Sequence, residues 1–164
     1  MAATVRLQTA DFDAAAEARL LAADRTDVGA VVTFTGICRG DGALTAMTLE
    51  HYPGMAEAEI ARHVAEAEAR FALQGVTVVH RHGRMVPGDN IVLVVTAASH
   101  RGDAFAAAEF LMDYLKTRAP FWKKEERRES SAWVDAATSD DAAAARWSGR
   151  RPDSEVPRLT RSSF

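Results

Sequence analysis

Lys116 precedes Pro120 in the stretch DYLKTRAPFWKKEERRE, residues 113–129, and Lys123 and Lys124 follow it at a reach where one could fold back toward Lys116. A partly desolvated amine has a lowered pKa and can act as an acid, a base or a nucleophile. Two ammonium groups close together would depress each other's pKa and attract a phosphate or carboxylate. At about 100° per residue, Ala104, Ala108, Leu111, Met112, Leu115 and Ala119 form one apolar helical stripe. Phe105 lies at the margin of that stripe, and Lys116 falls about 20° from Phe105 on the same wheel. Lys116 therefore has two readings: a snorkelling lysine with its stem packed and its head in water, or one wall of an anion pocket. KKEERRE is equally open. As a solvated helix it would pair like charges at Lys123–Arg127 and Lys124–Arg128, and only Glu125–Arg128 would support it.

Three further stretches bear on the same question. In SHRGDAF (99–105), His100 and Arg101 stand where a strand ends and a helix begins, and the free N–H groups of a helix N-terminus favour an anion there. The alternative is an exposed arginine beside a histidine that only caps the strand. In TGICRGDG (35–42), a strand runs into a glycine-rich turn with Arg39 at its mouth. This matches neither the P-loop nor the dinucleotide fingerprint, and a hairpin turn is its default reading. Cys38 reads equally as a small buried apolar residue or as a reactive thiol. The histidines offer no H-E-x-x-H spacing and have no cysteine cluster beside them. His80 and His82 share a strand face, where structural roles are expected. No G-x-S-x-G elbow is present.

The elements that must position these groups follow from periodicity and turn residues. Residues 4–8 read as a short strand, and 11–23 as an alanine-rich helix with Asp11 as its N-cap. GAVVTFTG (29–36) and LTAMTLEHY (44–52) read as strands joined by the turn at 38–43. Residues 55–71 carry helical spacing. VTVVHRHG (76–83) and NIVLVVTAAS (90–99) read as strands joined across MVPGD, and a long helix runs from about Asp103 to Arg118 until Pro120 closes it. A short strand at 132–134 and a helix at 139–147 follow. The order implies an α+β fold, with helices covering one side of a mostly antiparallel sheet. Residues 1–147 read as one domain and 148–164 as a loosely held tail.

Composition narrows the function. The chain has 164 residues, 48% hydrophobic and 26% charged, the profile of a soluble globular protein with one sizeable core. Its net charge of −3 argues against wholesale nucleic-acid binding. A single cysteine excludes an internal disulfide and a four-cysteine zinc site, and suits a reducing cytosol. The N-terminus lacks the uninterrupted apolar core of a signal peptide, and no run approaches a membrane span.

Five blocks in one order, GAVVTFTGICR, MTLEHYPGMAEAEI, VTVVHRHGRMVPGDNIVLVV, SHRGDAFAAAEFLMDYLKTRAPFWKKE and the later W-V at 133–134, resemble the catalytic (large) subunit family of molybdopterin synthase, the MoaE family. The resemblance covers roughly residues 28–135. It implies an α/β hammerhead fold with a small extra β subdomain, a homodimer, and a heterotetramer with a small ubiquitin-like sulfur carrier ending in Gly-Gly. The implied activity moves two sulfurs from the carrier's C-terminal thiocarboxylate to cyclic pyranopterin monophosphate, making the dithiolene of molybdopterin in the cytoplasm with no metal or resident cofactor. By the same resemblance, the essential lysine falls on Lys116 and a second active-site lysine on Lys123. Substrate binding falls on Ile37, Cys38 and Arg39, on His100 and Arg101 (for the neighbouring subunit's site), and on Lys123, Lys124 and Glu125. The turn after Arg39 is shorter than the family's usual loop. Two other classes compete with this enzyme: a non-catalytic docking module for a ubiquitin-like tail, and an RNA-binding domain, which the net acidity disfavours.

Overall fold

A computed structural model of the chain describes residues 2–134 and 138–148. The tail beyond residue 148 lies outside the described residues. Its elements are β1 (Ala2–Gln8), α1 (Ala14–Ala22), β2 (Ala30–Ile37), β3 (Leu44–His51), α2 (Met55–Arg70), β4 (Leu73–Arg81), β5 (Gly83–Met85), β6 (Asn90–Ala98), α3 (Arg101–Thr117), β7 (Phe121–Arg127), β8 (Ser130–Val134) and α4 (Thr138–Ala145). They build two four-stranded sheets, ordered β1-β4-β6-β2 and β5-β3-β7-β8. Only the β1–β4 pair is parallel, so the expected mostly antiparallel α+β architecture is present. No described helix is long and apolar enough to cross a membrane.

The first sheet is buried on both faces. β4 and β6 read as nearly continuous apolar runs for that reason. On one face Val76, Val78, Val92 and Val94 pack against Ile60 and Val64 of α2 and Ala104, Ala107 and Leu111 of α3. On the other, Val79, Leu93, Val95 and Ala97 meet Leu21, Ala14 and Ala18 of α1 and Phe12. Helices thus cover both sides of this sheet, not one. Asp13, rather than Asp11, caps α1 by accepting from Ala16 N at 2.9 Å. Asp11 instead accepts from Phe12 N and the Asn90 side chain. Both are aspartates next to the same alanine-rich run, and the loop's tie to Asn90 decides between them.

Two strands differ from the sequence expectation, and both belong to the second sheet. The run 76–83 does not stay in one sheet. β4 starts at Leu73 and ends at Arg81, and the chain then crosses to β5, which pairs with β3 through Met47 opposite Met85. Gly83 has φ 90°, a left-handed conformation that glycine adopts without a Cβ clash, and this allows the crossing. The charged stretch after Pro120 is a strand, β7, not a solvated helix. It lies between β3 and β8 with Lys123 opposite Leu49 and Glu125 opposite Met47. A small apolar cluster of Cys38, Met47, Leu49 and Met85 underlies the second sheet.

Candidate functional site

β7 sorts its charges by alternation. Lys123, Glu125 and Arg127 share one face with their cross-strand partners Leu49 and Met47, and Phe121 shares it with His51. Lys124 falls on the opposite face, across from Thr48 and Trp133. The structure therefore separates Lys124 from Lys123. Lys123 Nζ lies 3.4 Å from Glu125 Oε1, and Arg127 donates to Glu125 Oε2 from Nη2 at 2.8 Å and from Nε at 3.1 Å.

The turn after β2 approaches this face. Cys38 N donates to Asp89 O and Gly88 N to Cys38 O, both at 2.8 Å, which straps the turn onto the loop before β6. Cys38 is only 3% exposed. Burial pushes its thiol pKa up and the Asp89 carboxylate pushes the same way; Lys123 opposes them, and Glu125 adds a smaller upward push. Of the two readings of Cys38, the structure gives the buried, weakly reactive one. The same charges place Cys38 within electrostatic reach of both Lys123 and Glu125. Ile37 and Arg39 on either side are exposed.

α3 is buried around most of its circumference, because the sheet packs on one side of it and α2 and α4 on the other. Ala107, Phe110 and Tyr114 extend the buried surface beyond the expected stripe. Phe105, Glu109 and Lys116 are left along one exposed strip beside the buried Leu115, the place at which a boundary lysine keeps its charge in water. The Lys116 charge nevertheless reaches His80 near the end of β4. His80 stacks on Phe121 with ring centroids 4.1 Å apart, and its Nδ1 lies 2.8 Å from Arg81 O. A carbonyl can only accept, so Nδ1 carries the proton. Burial, together with the charges of His82, Lys116 and His51, lowers the His80 pKa to about 4. His51 and His82 face each other with ring centroids 4.4 Å apart, and His51 also approaches Phe121.

Phe121, itself on the Lys123 face of β7, thus stands where the two sheets meet, stacked on the His80 ring that the Lys116 charge reaches. Sequence reading gave these histidines structural roles. The crossing from β4 to β5, which brings His82 to His51, has no signal in the local pattern. His100 occupies the N-cap position of α3 without a side-chain cap bond, and Arg101 begins the helix exposed. Fifteen helical steps put Arg101 about 22 Å from Lys116 along the axis of α3, so one chain does not bring these groups to a common pocket. Among the described residues, no group of three or more His, Cys, Asp or Glu side chains is arranged to hold a metal ion.

The chain is thus an α+β protein of two sheets that meet where His80 stacks on Phe121. The MoaE protein family profile matches residues 7–118, and the chain belongs to that family. A molybdopterin synthase catalytic subunit from Mesorhizobium japonicum is 62% identical over 150 residues, covering 90% of this chain and 94% of that relative. The solved molybdopterin biosynthesis MoaE protein of Burkholderia ambifaria superimposes with a TM-score of 0.77 at 53% identity, covering 88% of this chain and 97% of the other. A Helicobacter pylori chain, solved as a protein–protein complex of subunits 1 and 2 of molybdopterin-converting factor, has the same fold at 18% identity, with a TM-score of 0.66 and coverage of 80% and 89%. The family is one of catalytic subunits of molybdenum cofactor biosynthesis.

Proposed function

We propose that the chain is the sulfur-transferring subunit of a molybdopterin synthase. It takes one sulfur from each of two successive carriers, small ubiquitin-like proteins with a thiocarboxylated Gly-Gly terminus that is left as a carboxylate, and delivers both to cyclic pyranopterin monophosphate, forming the dithiolene. What supports this reading is a chain of neighbours: Lys123 reaches Cys38, next to Arg39, while Lys116 reaches His80, which stacks on Phe121 two residues before Lys123. Both co-substrates are anions, and cations on rigid elements recruit them. Lys116 acts at the reacting centre, protonating the leaving oxygen or orienting the thiocarboxylate, while Lys123 stabilises developing negative charge. This chemistry needs no metal or resident cofactor, and it belongs in the cytoplasm.

The working unit is a homodimer that carries one carrier per chain, as a heterotetramer. β2 is an edge strand, and it exposes Phe34 (39%) and Ile37 (55%) beside Phe105 of α3 (48%). β2 and α3 both run antiparallel to β6. Arg39 and Lys116 therefore sit at one end of this surface, and His100 and Arg101 at the other. A two-fold contact across the surface matches one chain's Arg39–Lys116 end with the partner's His100–Arg101 end. That arrangement gives His100 and Arg101 a place in the neighbouring site despite their distance within a chain.

The test combines the purified chain with thiocarboxylated carrier and the pterin substrate, and assays for dithiolene. Product is expected from the wild type. Lys116→Ala is expected to lower turnover by about a thousandfold or more while carrier binding stays within about threefold. Carrier binding without any dithiolene would identify a docking module instead, and full turnover by the variant would remove Lys116 from the chemistry.

A further inference from the structure

Four side chains of alternating sign run from β7 to the turn that follows β2. Lys123 faces Glu125 Oε1, Glu125 Oε2 accepts both Arg127 contacts, and Arg127 Nη1 donates to Asp41 Oδ2 at 2.8 Å. Asp41 uses its other oxygen inside the turn, accepting from Ala43 N at 3.0 Å and Leu44 N at 2.9 Å. Its carboxyl pKa is held down to about 2, first by Arg127 and then by these backbone donors. Arg128 N also donates to Ala43 O, so the turn is pinned to the end of β7 through both backbone and side chain.

Two consequences follow from charge and geometry. Glu125 is closer to Arg127 than to Lys123, and a guanidinium fork claims a carboxylate more strongly than an ammonium at 3.4 Å. Lys123 is therefore only loosely paired and keeps its charge available to an incoming anion. Asp41 sits two residues past Arg39, so the same guanidinium that restrains Glu125 also fixes the turn carrying Arg39. Without Arg127, Glu125 would close fully on Lys123 and the turn would lose its tie to β7. We infer that Arg127 is a positioning residue, bridging Glu125 and Asp41 so that Lys123 and Arg39 are presented together, as two cations at a set separation, to the anionic substrate. It touches no substrate itself. Half-exposed ion pairs of this kind contribute little to global stability, so the role is read in binding and not in melting temperature.

The inference rests on the proposed anion-binding seam, and its test separates the two. In the dithiolene assay, Arg127→Ala is expected to raise the pterin KM about tenfold with kcat within about threefold, and Arg127→Lys to recover most of the loss. Asp41→Asn should raise KM in the same way, and the double variant Asp41→Asn/Arg127→Ala should be no worse than Arg127→Ala alone. Melting temperatures are measured alongside. An unchanged KM, a parallel fall in kcat and melting temperature, or full additivity of the two substitutions would overturn the role. Binding of inorganic phosphate, followed by calorimetry, provides a readout independent of turnover. Arg127→Ala should bind it about tenfold more weakly than the wild type and Arg127→Lys within about threefold. No difference between wild type and Arg127→Ala, including no binding by either, counts against the inference. An inactive wild type that still shows this difference counts against the sulfur-transfer reading alone.

Discussion

Burial keeps His80 neutral, and its surroundings supply three further sources of positive charge, His51, His82 and Lys116. Its folded pKa of about 4 lies below the value of about 6.5 for an unfolded histidine. As pH falls through that window the unfolded chain takes up a proton that the folded chain refuses. The stabilisation is therefore complete above about pH 6.5, is lost progressively toward pH 4, and loses no more below it. At full titration the effect amounts to up to about 3 kcal/mol. Denaturant midpoints measured between pH 7.5 and 4.5 should show this acid limb, and His80→Gln should flatten it; identical slopes in the two proteins would show that the imidazole is not its source. At this scale the sequence pointed to Lys116, Lys123 and Arg39 through residue type and family resemblance. It could not show that Arg127 joins Glu125 to Asp41, because that pairing needs a strand's two-residue period and a contact across 86 positions. Nor could it show that α3 is packed from both sides, since the wheel marked only the stripe of Ala104, Ala108, Leu111, Met112, Leu115 and Ala119.

Among the elements, α2 and α3 were legible from helical spacing, and β2 and β6 from runs of β-branched residues that end at turn residues. β7 was not: FWKKEER has the charge density of an exposed helix, and only its two neighbours, β3 and β8, make it a strand. β5 has three residues, too few to carry a period at all. The start of β2 illustrates how tightly the legible elements are joined. Gly29 N donates to Ala98 O at 2.9 Å, and a Cβ built on Gly29 would lie 2.2 Å from Ser99 O. A backbone oxygen cannot swing away as a side-chain tip could, so the strand or the His100 corner must shift. Gly29→Ala should cost about 1–3 kcal/mol, read as a fall of several degrees in the melting temperature. A melting temperature equal to wild type would mean that this corner yields more easily than its geometry implies.

For the whole molecule, the roughly 22 Å that α3 places between Arg101 and Lys116 poses the main question, and pairing two copies answers it. If each site takes Lys116 from one chain and Arg101 from the other, two inactive variants can repair each other. Arg101→Ala and Lys116→Ala proteins should each be nearly inactive. After unfolding and refolding as an equal mixture, half the dimers would be hybrids with one intact site, restoring roughly a quarter of wild-type turnover. A mixture no more active than its components would place both residues in the same chain's site or outside it.

The division into two sheets also bears on how this protein would lose activity. The first sheet rests on a core of some twenty buried side chains together with the layer under α1, whereas among the described residues the apolar cluster beneath the second has four buried members, Cys38, Met47, Leu49 and Met85. Local opening takes the least-buried unit first, and here that unit holds Lys123 and the strap on the Arg39 turn. Lys116 and His80 belong to the other, sturdier half. Gentle heating or dilute denaturant would therefore part the two halves of the seam while helical content still looked native, and inactivation of this protein is not by itself a measure of its unfolding.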